Sequence, residues 1–199
     1  MRLVQSAIER IALRLGARVD AAALQAGGFD EVIVATGITP REPSLPGIDH
    51  PMVVSYIDAI LGRKPIGQRV AIMGAGGIGF DTAEFLLHEG TSPSLDQAKF
   101  FAEWGVDTAY ASAGGLKPAH IEKTPRKVYL LQRKTSKVGD GLGKTTGWIH
   151  RTVLKMKAVE MVGGVNYERI ADEGLLVSYG EKREDPTWIP CDTVVLCAG

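Results

Sequence analysis

Residues 69–88 read Arg-Val-Ala-Ile-Met-Gly-Ala-Gly-Gly-Ile-Gly-Phe-Asp-Thr-Ala-Glu-Phe-Leu-Leu-His. A short apolar run leads into the pattern G-x-G-x-x-G, and apolar residues at mixed helical spacing follow. That order constrains the segment to a buried strand, a tight glycine turn and a helix, the opening of a dinucleotide-binding unit. Each glycine has its own task. Gly74 permits the turn off the strand, Gly76 lets backbone come close to a pyrophosphate, and Gly79 lets the helix lie against the strand. Ala75, Gly77 and Ile78 complete the turn. The free N–H groups of the first helical turn and the positive end of the helix dipole then favour an anion. The competing reading is a purely structural strand-turn-helix; the apolar context on both sides favours the nucleotide site.

Composition limits the alternatives. Hydrophobic residues make up 45% of the 199, enough for a proper core. Lys and Arg number 23 against 23 Asp and Glu, so no global basic surface is available and nucleic-acid binding is not expected. No stretch approaches the ~18 apolar residues of a membrane span, and residues 1–25 lack the pattern of a secretory leader. A cytoplasmic protein is expected. Cys191 and Cys197 fall in what reads as one strand, where they would stand about 20 Å apart, too far for a disulfide. Two buried thiols are the expectation, with no metal site and no catalytic residue on this chain.

Along the chain, residues 2–15 have the spacing of an amphipathic helix ended by Gly16. Phe29–Thr36 reads as a buried strand closed by Gly37. Residues 38–51, with Pro40, Pro43, Pro46 and Pro51, read as a connection. Residues 53–61 predict a short strand and then a helix. After the glycine-turn helix, residues 91–126 form an insertion with a helix over 94–104, capped by Ser94 or Thr91. Residues 127–132 predict the second strand of the unit. Residues 148–161 predict a helix with Arg151, Lys155 and Lys157 on its outer faces, closed by Gly163-Gly164. The last part looks β-rich: strands over 165–170 and 175–179, then 187–190 leading into a buried strand from Cys191 to Gly199.

Arg133, Lys134 and Lys137 follow the second strand. An acid there would take the ribose hydroxyls of NAD, whereas a basic pair suits the 2′-phosphate of NADP. Arg133 is the stronger candidate because its planar fork matches phosphate oxygens. The plain alternative is a solvated basic loop. Residues 138–147 resemble the phosphate loop G-x-x-x-x-G-K-[ST], but Val138 stands where that pattern needs glycine, so a triphosphatase is disfavoured. A glycine-rich loop lining the cofactor cleft, with Lys144 in it, is the better reading.

The segments Phe29–Gly37 and Asp192–Gly199 share a form: an acid, an apolar run, then a small residue and glycine. They bracket the glycine motif. This layout resembles the two-dinucleotide-binding flavoprotein reductases, in which an NAD(P)H unit is inserted in an FAD domain. Residues 74–83, Glu103-Trp104-Gly105, Ala113-Gly114-Gly115-Leu116, Leu131-Gln132-Arg133-Lys134 and residues 141–151 carry a closer likeness, covering nearly the whole chain. They resemble the carboxy-terminal part of the bacterial NADPH-dependent 2,4-dienoyl-CoA reductases, of the old-yellow-enzyme type. The resemblance implies an α/β fold: a Rossmann-like dinucleotide-binding domain, with a parallel sheet flanked by helices, a small β element, and a remnant of an adjoining FAD domain. It implies a partial FAD-domain segment over residues 1–52 and an NADP(H)-binding domain over 53–199.

In that family NADPH reduces FAD, electrons pass through a 4Fe–4S cluster to FMN in a barrel, and the dienoyl-CoA of unsaturated fatty acid oxidation is reduced. This chain has no barrel and no cluster cysteines, so the resemblance implies an NADPH-binding portion that is inactive alone. Its partners would be NADPH and the remainder of a parent flavoprotein, with acyl-CoA bound only through the barrel. Carried over to this sequence are Gly74, Ala75, Gly76, Gly77, Ile78 and Gly79 for the pyrophosphate and Arg133 and Lys134 for the 2′-phosphate. Asp81 and Lys144 would face the nicotinamide side, and His150 could reach the cleft. The alternative is a non-catalytic ADP-binding assembly domain of the trimethylamine-dehydrogenase kind, against which the basic pair speaks.

Overall fold

The computed structural model describes residues 11–197. The chain divides into two compact units, Met1–Thr39 and Pro40–Gly199. In the first, Ala21–Ala26 is a helix whose cap is Asp20; its carboxylate accepts the Ala23 N–H at 2.9 Å. The helix expected over 2–15 falls mostly outside the described residues, and residues 11–15 are exposed and not helical. Phe29–Thr36 is not the buried strand its composition suggests: no ladder forms there, and Ile33 is 89% exposed. An apolar run becomes a strand only by pairing and burial, and its unit offers no partner strand among the described residues.

Among the described residues the second unit contains eight strands: β1 (Val53–Ser55), β2 (Arg69–Met73), β3 (Lys127–Gln132), β4 (Glu160–Gly163), β5 (Val165–Ala171), β6 (Gly174–Tyr179), β7 (Glu184–Ile189) and β8 (Thr193–Leu196). A parallel sheet runs in the order β1-β8-β2-β3-β4, and β5-β6-β7 form an antiparallel sheet. Alternation along the parallel strands explains the layers. Val70, Ile72, Val128, Leu130 and Val195 point to the helix-side core, with Phe80, Ala83, Leu86 and Leu154. Ala71, Met73, Tyr129, Leu131 and Val194 point the other way, to Val165, Leu175 and Val177 of the antiparallel sheet. A sheet covered on both faces reads as a continuous apolar run, which is why β2, β3 and β8 stood out in the sequence. The fold is the expected α/β dinucleotide-binding architecture, with helices on one face and the small β element on the other.

Helix Gly77–Leu86 joins β2 to β3, and helix Gly147–Met156 joins β3 to β4. The helix expected over 148–161 therefore ends early. Ala158 takes the left-handed conformation (φ 57°) and the chain re-enters the sheet, pairing Tyr129 with Glu160 and Gln132 with Gly163. Val159, Met161 and Val162 suit a helix or a strand; the open edge of β3 decides between them. The strand β7 was likewise not marked by its exposed residues 184–187. Cys191 precedes β8 instead of lying in it.

Residues 40–52, placed by sequence with the first segment, pack with this unit. Leu45 is buried in the second core, and Pro46 O accepts the Ile170 N–H at 2.9 Å. The insertion carries a 3-10 turn at Pro93–Leu95 and a helix at Gln97–Glu103. Their caps are Ser92 and Asp96, not Ser94 or Thr91. Lys157 was expected on an outer face and is instead buried, 3.3 Å from Glu103 Oε1. Trp104 meets Trp148 edge-on at 6.5 Å, and Arg126 donates to Gly67 O and Leu86 O, both at 3.1 Å. These contacts seat the insertion on the helix layer. No helix among the described residues is long and apolar enough to cross a membrane.

Candidate functional site

From β2 the strand order runs through β3 and β4 on one side and through β8 and β1 on the other. Such a reversal opens a crevice at the carboxyl ends of the strands, where ligands of doubly wound folds bind. The glycine turn lies there. Gly74 leaves β2 with φ 113°, and its N–H donates to Leu131 O at 3.0 Å. Gly76 is the helix N-cap, with no side chain capping the turn, so the N–H groups at the start of helix Gly77–Leu86 stay available to an acceptor.

The glycines separate into two kinds. A Cβ at Gly76 or Gly77 would meet nothing within 4 Å. The space before the helix is open, and the absence of side chains there lets a pyrophosphate approach the N–H groups. A Cβ at Gly79 would overlap the Gly74 carbonyl oxygen, so that glycine keeps the helix close to the turn. Ala75 is buried, and Ile78 packs on the helix-side core. The donor set and the open cradle fit a dinucleotide pyrophosphate.

Asp81 is exposed and is the fifth residue of its helix, past the first turn where the dipole would favour an acid. Arg133 and Lys134 are exposed and follow β3 directly. Because Met73 pairs with Leu131, the basic pair and the glycine turn emerge from neighbouring strands at one sheet edge. Strands so paired lie about 4.8 Å apart. Among the described residues neither basic side chain has an ion-pair partner.

The loop that bears the pair is built by a residue that sequence reasoning missed. Gln132 Nε2 donates to Lys134 O at 3.0 Å and Ser136 O at 2.9 Å, and its Oε1 accepts the Gly139 N–H at 3.4 Å. Its signal was a polar residue ending a buried apolar strand. Gly139 (φ 76°) lies against the Phe80 ring, and its carbonyl accepts from Arg151 Nη1 at 2.8 Å. Arg151 thus turns inward to the glycine-rich loop. That loop flanks the glycine-turn helix and leaves Lys144 exposed. His150 is directed elsewhere: its Nδ1 lies 2.7 Å from Glu84 Oε1, two turns along the helix from Gly76.

A cleft of about 670 Å³, lined by Lys64, Ile66, Phe85, His88 and Arg126, lies at the far end of the same helix. A ten-residue helix is about 15 Å long. The glycine turn is therefore separate from this cleft, and Gly76 and Gly77 are exposed to solvent. Cys191 and Cys197 are free and buried, and burial pushes both thiols up to about 11. A thiol titrating that high holds little thiolate at pH 8. Cys191 should resist iodoacetamide in the folded chain and react quickly in guanidinium; fast labelling of the native chain would contradict its burial.

Residues 7–199 match the pyridine nucleotide-disulphide oxidoreductase family. The chain belongs to that family. Its members are flavin-dependent oxidoreductases that use pyridine nucleotides. Among its relatives, the metal reductase of Desulforamulus reducens is 29% identical over 177 residues, 89% of this chain and 25% of that protein. The cinnamate reductase of Clostridium sporogenes is 38% identical over 68 residues, 34% of this chain and 10% of that protein. A solved structure of a 2-naphthoyl-CoA reductase with 2-naphthoyl-CoA superposes on all of this chain with a TM-score of 0.65, at 20% identity, and supports the fold. The chain covers 24% of that structure, so it spans about a quarter or less of each of these three proteins.

Proposed function

We propose that this chain is the NADPH-binding portion of a larger flavoenzyme that reduces 2,4-dienoyl-CoA esters. The observation that carries the reading is one sheet edge holding both the uncapped glycine turn and the exposed Arg133-Lys134, which have no ion-pair partner among the described residues. The turn offers N–H groups to a pyrophosphate and the pair offers cations to a 2′-phosphate. When bound, NADPH supplies the reducing equivalents; the chain's own residues bind and orient it. FAD, FMN and a 4Fe–4S cluster belong to the proposed parent enzyme, with residues 1–52 a partial segment of its FAD domain and acyl-CoA bound elsewhere. The likeness of residues 74–83 and 141–151 to dienoyl-CoA reductases supports that substrate class, and two buried free thiols suit a reducing cytoplasm.

Calorimetric titration with NADPH and NADH at low salt tests the reading. Tight NADPH beside weak NADH is expected. Equal affinity for NADPH, NADH and ADP would favour the assembly-domain alternative, and no binding of any would overturn nucleotide recognition by this chain. Arg133→Ala is expected to weaken NADPH by about 1–3 kcal/mol, the cost of a lost charge-assisted contact, and NADH much less. Equal losses for the two nucleotides would remove Arg133 from the 2′-phosphate.

A further inference from the structure

The antiparallel sheet does more than cover a face of the parallel one. Tyr167 of β5 is half-buried in the core between the sheets, and its hydroxyl donates to Leu131 O at 3.1 Å. That carbonyl also accepts the Gly74 N–H at 3.0 Å, so one oxygen receives both the first glycine of the turn and the tyrosine. Leu131 stands two residues before Arg133. The shared oxygen therefore sits between the two halves of the nucleotide edge, the pyrophosphate turn and the basic loop.

The register of β5 fits this placement. Tyr167 pairs with Val177 and Arg169 with Leu176, leaving Glu168 as an extra residue. An irregularity of this kind increases local twist and re-aims the neighbouring side chain. Burial pushes the Tyr167 phenol up to about 12, and the Arg133 charge acts on it in the opposite sense. The hydroxyl is thus a proton donor through the neutral range, within electrostatic reach of Arg133.

Resting on the proposed NADPH site, we infer that Tyr167 is a positioning residue for pyridine nucleotide selectivity: its hydroxyl holds the Leu131 carbonyl and so fixes the spacing between the Gly74 turn and Arg133. A tyrosine retained only for packing would be replaced by phenylalanine without effect on the nucleotide, because the ring stays. Under this inference the hydroxyl itself matters, and it matters more for the nucleotide that needs both halves of the edge.

The test is Tyr167→Phe in the full 199-residue chain, titrated with NADPH and NADH beside the unsubstituted chain. Loss of the single hydrogen bond is expected to weaken NADPH about three- to tenfold and NADH less, narrowing the selectivity. Amide exchange at Gly74, followed without nucleotide, is expected to speed up in the variant. If the unsubstituted chain binds NADPH selectively and the variant matches it, the Tyr167 inference falls and the NADPH site stands. If neither chain binds nucleotide, the site reading falls and carries the selectivity role with it; unchanged Gly74 exchange would remove the clamp as well.

Discussion

Replacing Lys157 with methionine is expected to lower the stability of the 40–199 unit by about 3–5 kcal/mol, read from urea unfolding. Lys157 caps the end of helix Gly147–Met156 and is paired at 3.3 Å with Glu103 of the insertion; their side chains are 1% and 8% exposed. Removing one member leaves a carboxylate out of water without its counter-charge, which costs far more than the pair contributes as a unit. The double variant Glu103→Leu, Lys157→Met should therefore recover most of the loss, because no orphaned charge remains. A loss below about 1 kcal/mol in the single variant would show that water reaches the pair. His88 reports on the same spot. Its pKa is held below the ordinary histidine value by burial and then by the Lys157 charge, and it is expected to rise in Lys157→Met.

Valine at Gly79 and valine at Gly76 should fail for different reasons. At Gly79 the added Cβ overlaps the Gly74 backbone oxygen, and backbone cannot swing aside as a flexible side chain would. Gly79→Val is expected to cost about 3 kcal/mol of stability and to abolish nucleotide binding. Gly76 has φ −81°, ordinary for any residue, and open space where a Cβ would point. Gly76→Val should leave the unfolding transition within about 0.5 kcal/mol of the unsubstituted chain. It should still block both NADPH and NADH, because its side chain would fill the place proposed for the pyrophosphate. Thermal unfolding beside calorimetric titration separates the two. Full binding by Gly76→Val would move the pyrophosphate away from this turn.

Much of the proposed nucleotide edge was legible because its chemistry is local. A glycine turn needs particular residues at fixed spacing, and the middles of β2, β3 and β8 are buried on both faces, so each carries an unbroken apolar run. The basic pair was visible because it directly follows β3. Gln132 and Tyr167 were not: Gln132 bonds the backbone of the loop that follows it, whose path only the folded chain shows, and Tyr167 bonds a carbonyl of another strand. Lys157 was misplaced for a related reason: a lysine at helical spacing is ordinarily solvated, and only the folded-back insertion supplies Glu103. In the opposite direction, Phe29–Thr36 has the residues of a strand and lacks one, since a strand is completed by its neighbour.

By itself the amino-acid sequence determined the strand-turn-helix at residues 69–88, the parallel α/β class and the candidate residues for phosphate, because each is marked by a residue pattern only a few positions long. The tertiary structure alone decided that residues 40–52 pack with the second unit, that residues 160–163 join the sheet, and that Leu131 O joins Gly74 to Tyr167. Those outcomes depend on which open edge, buried charge or free carbonyl lies within a few ångströms, a matter of chain topology that local composition does not encode.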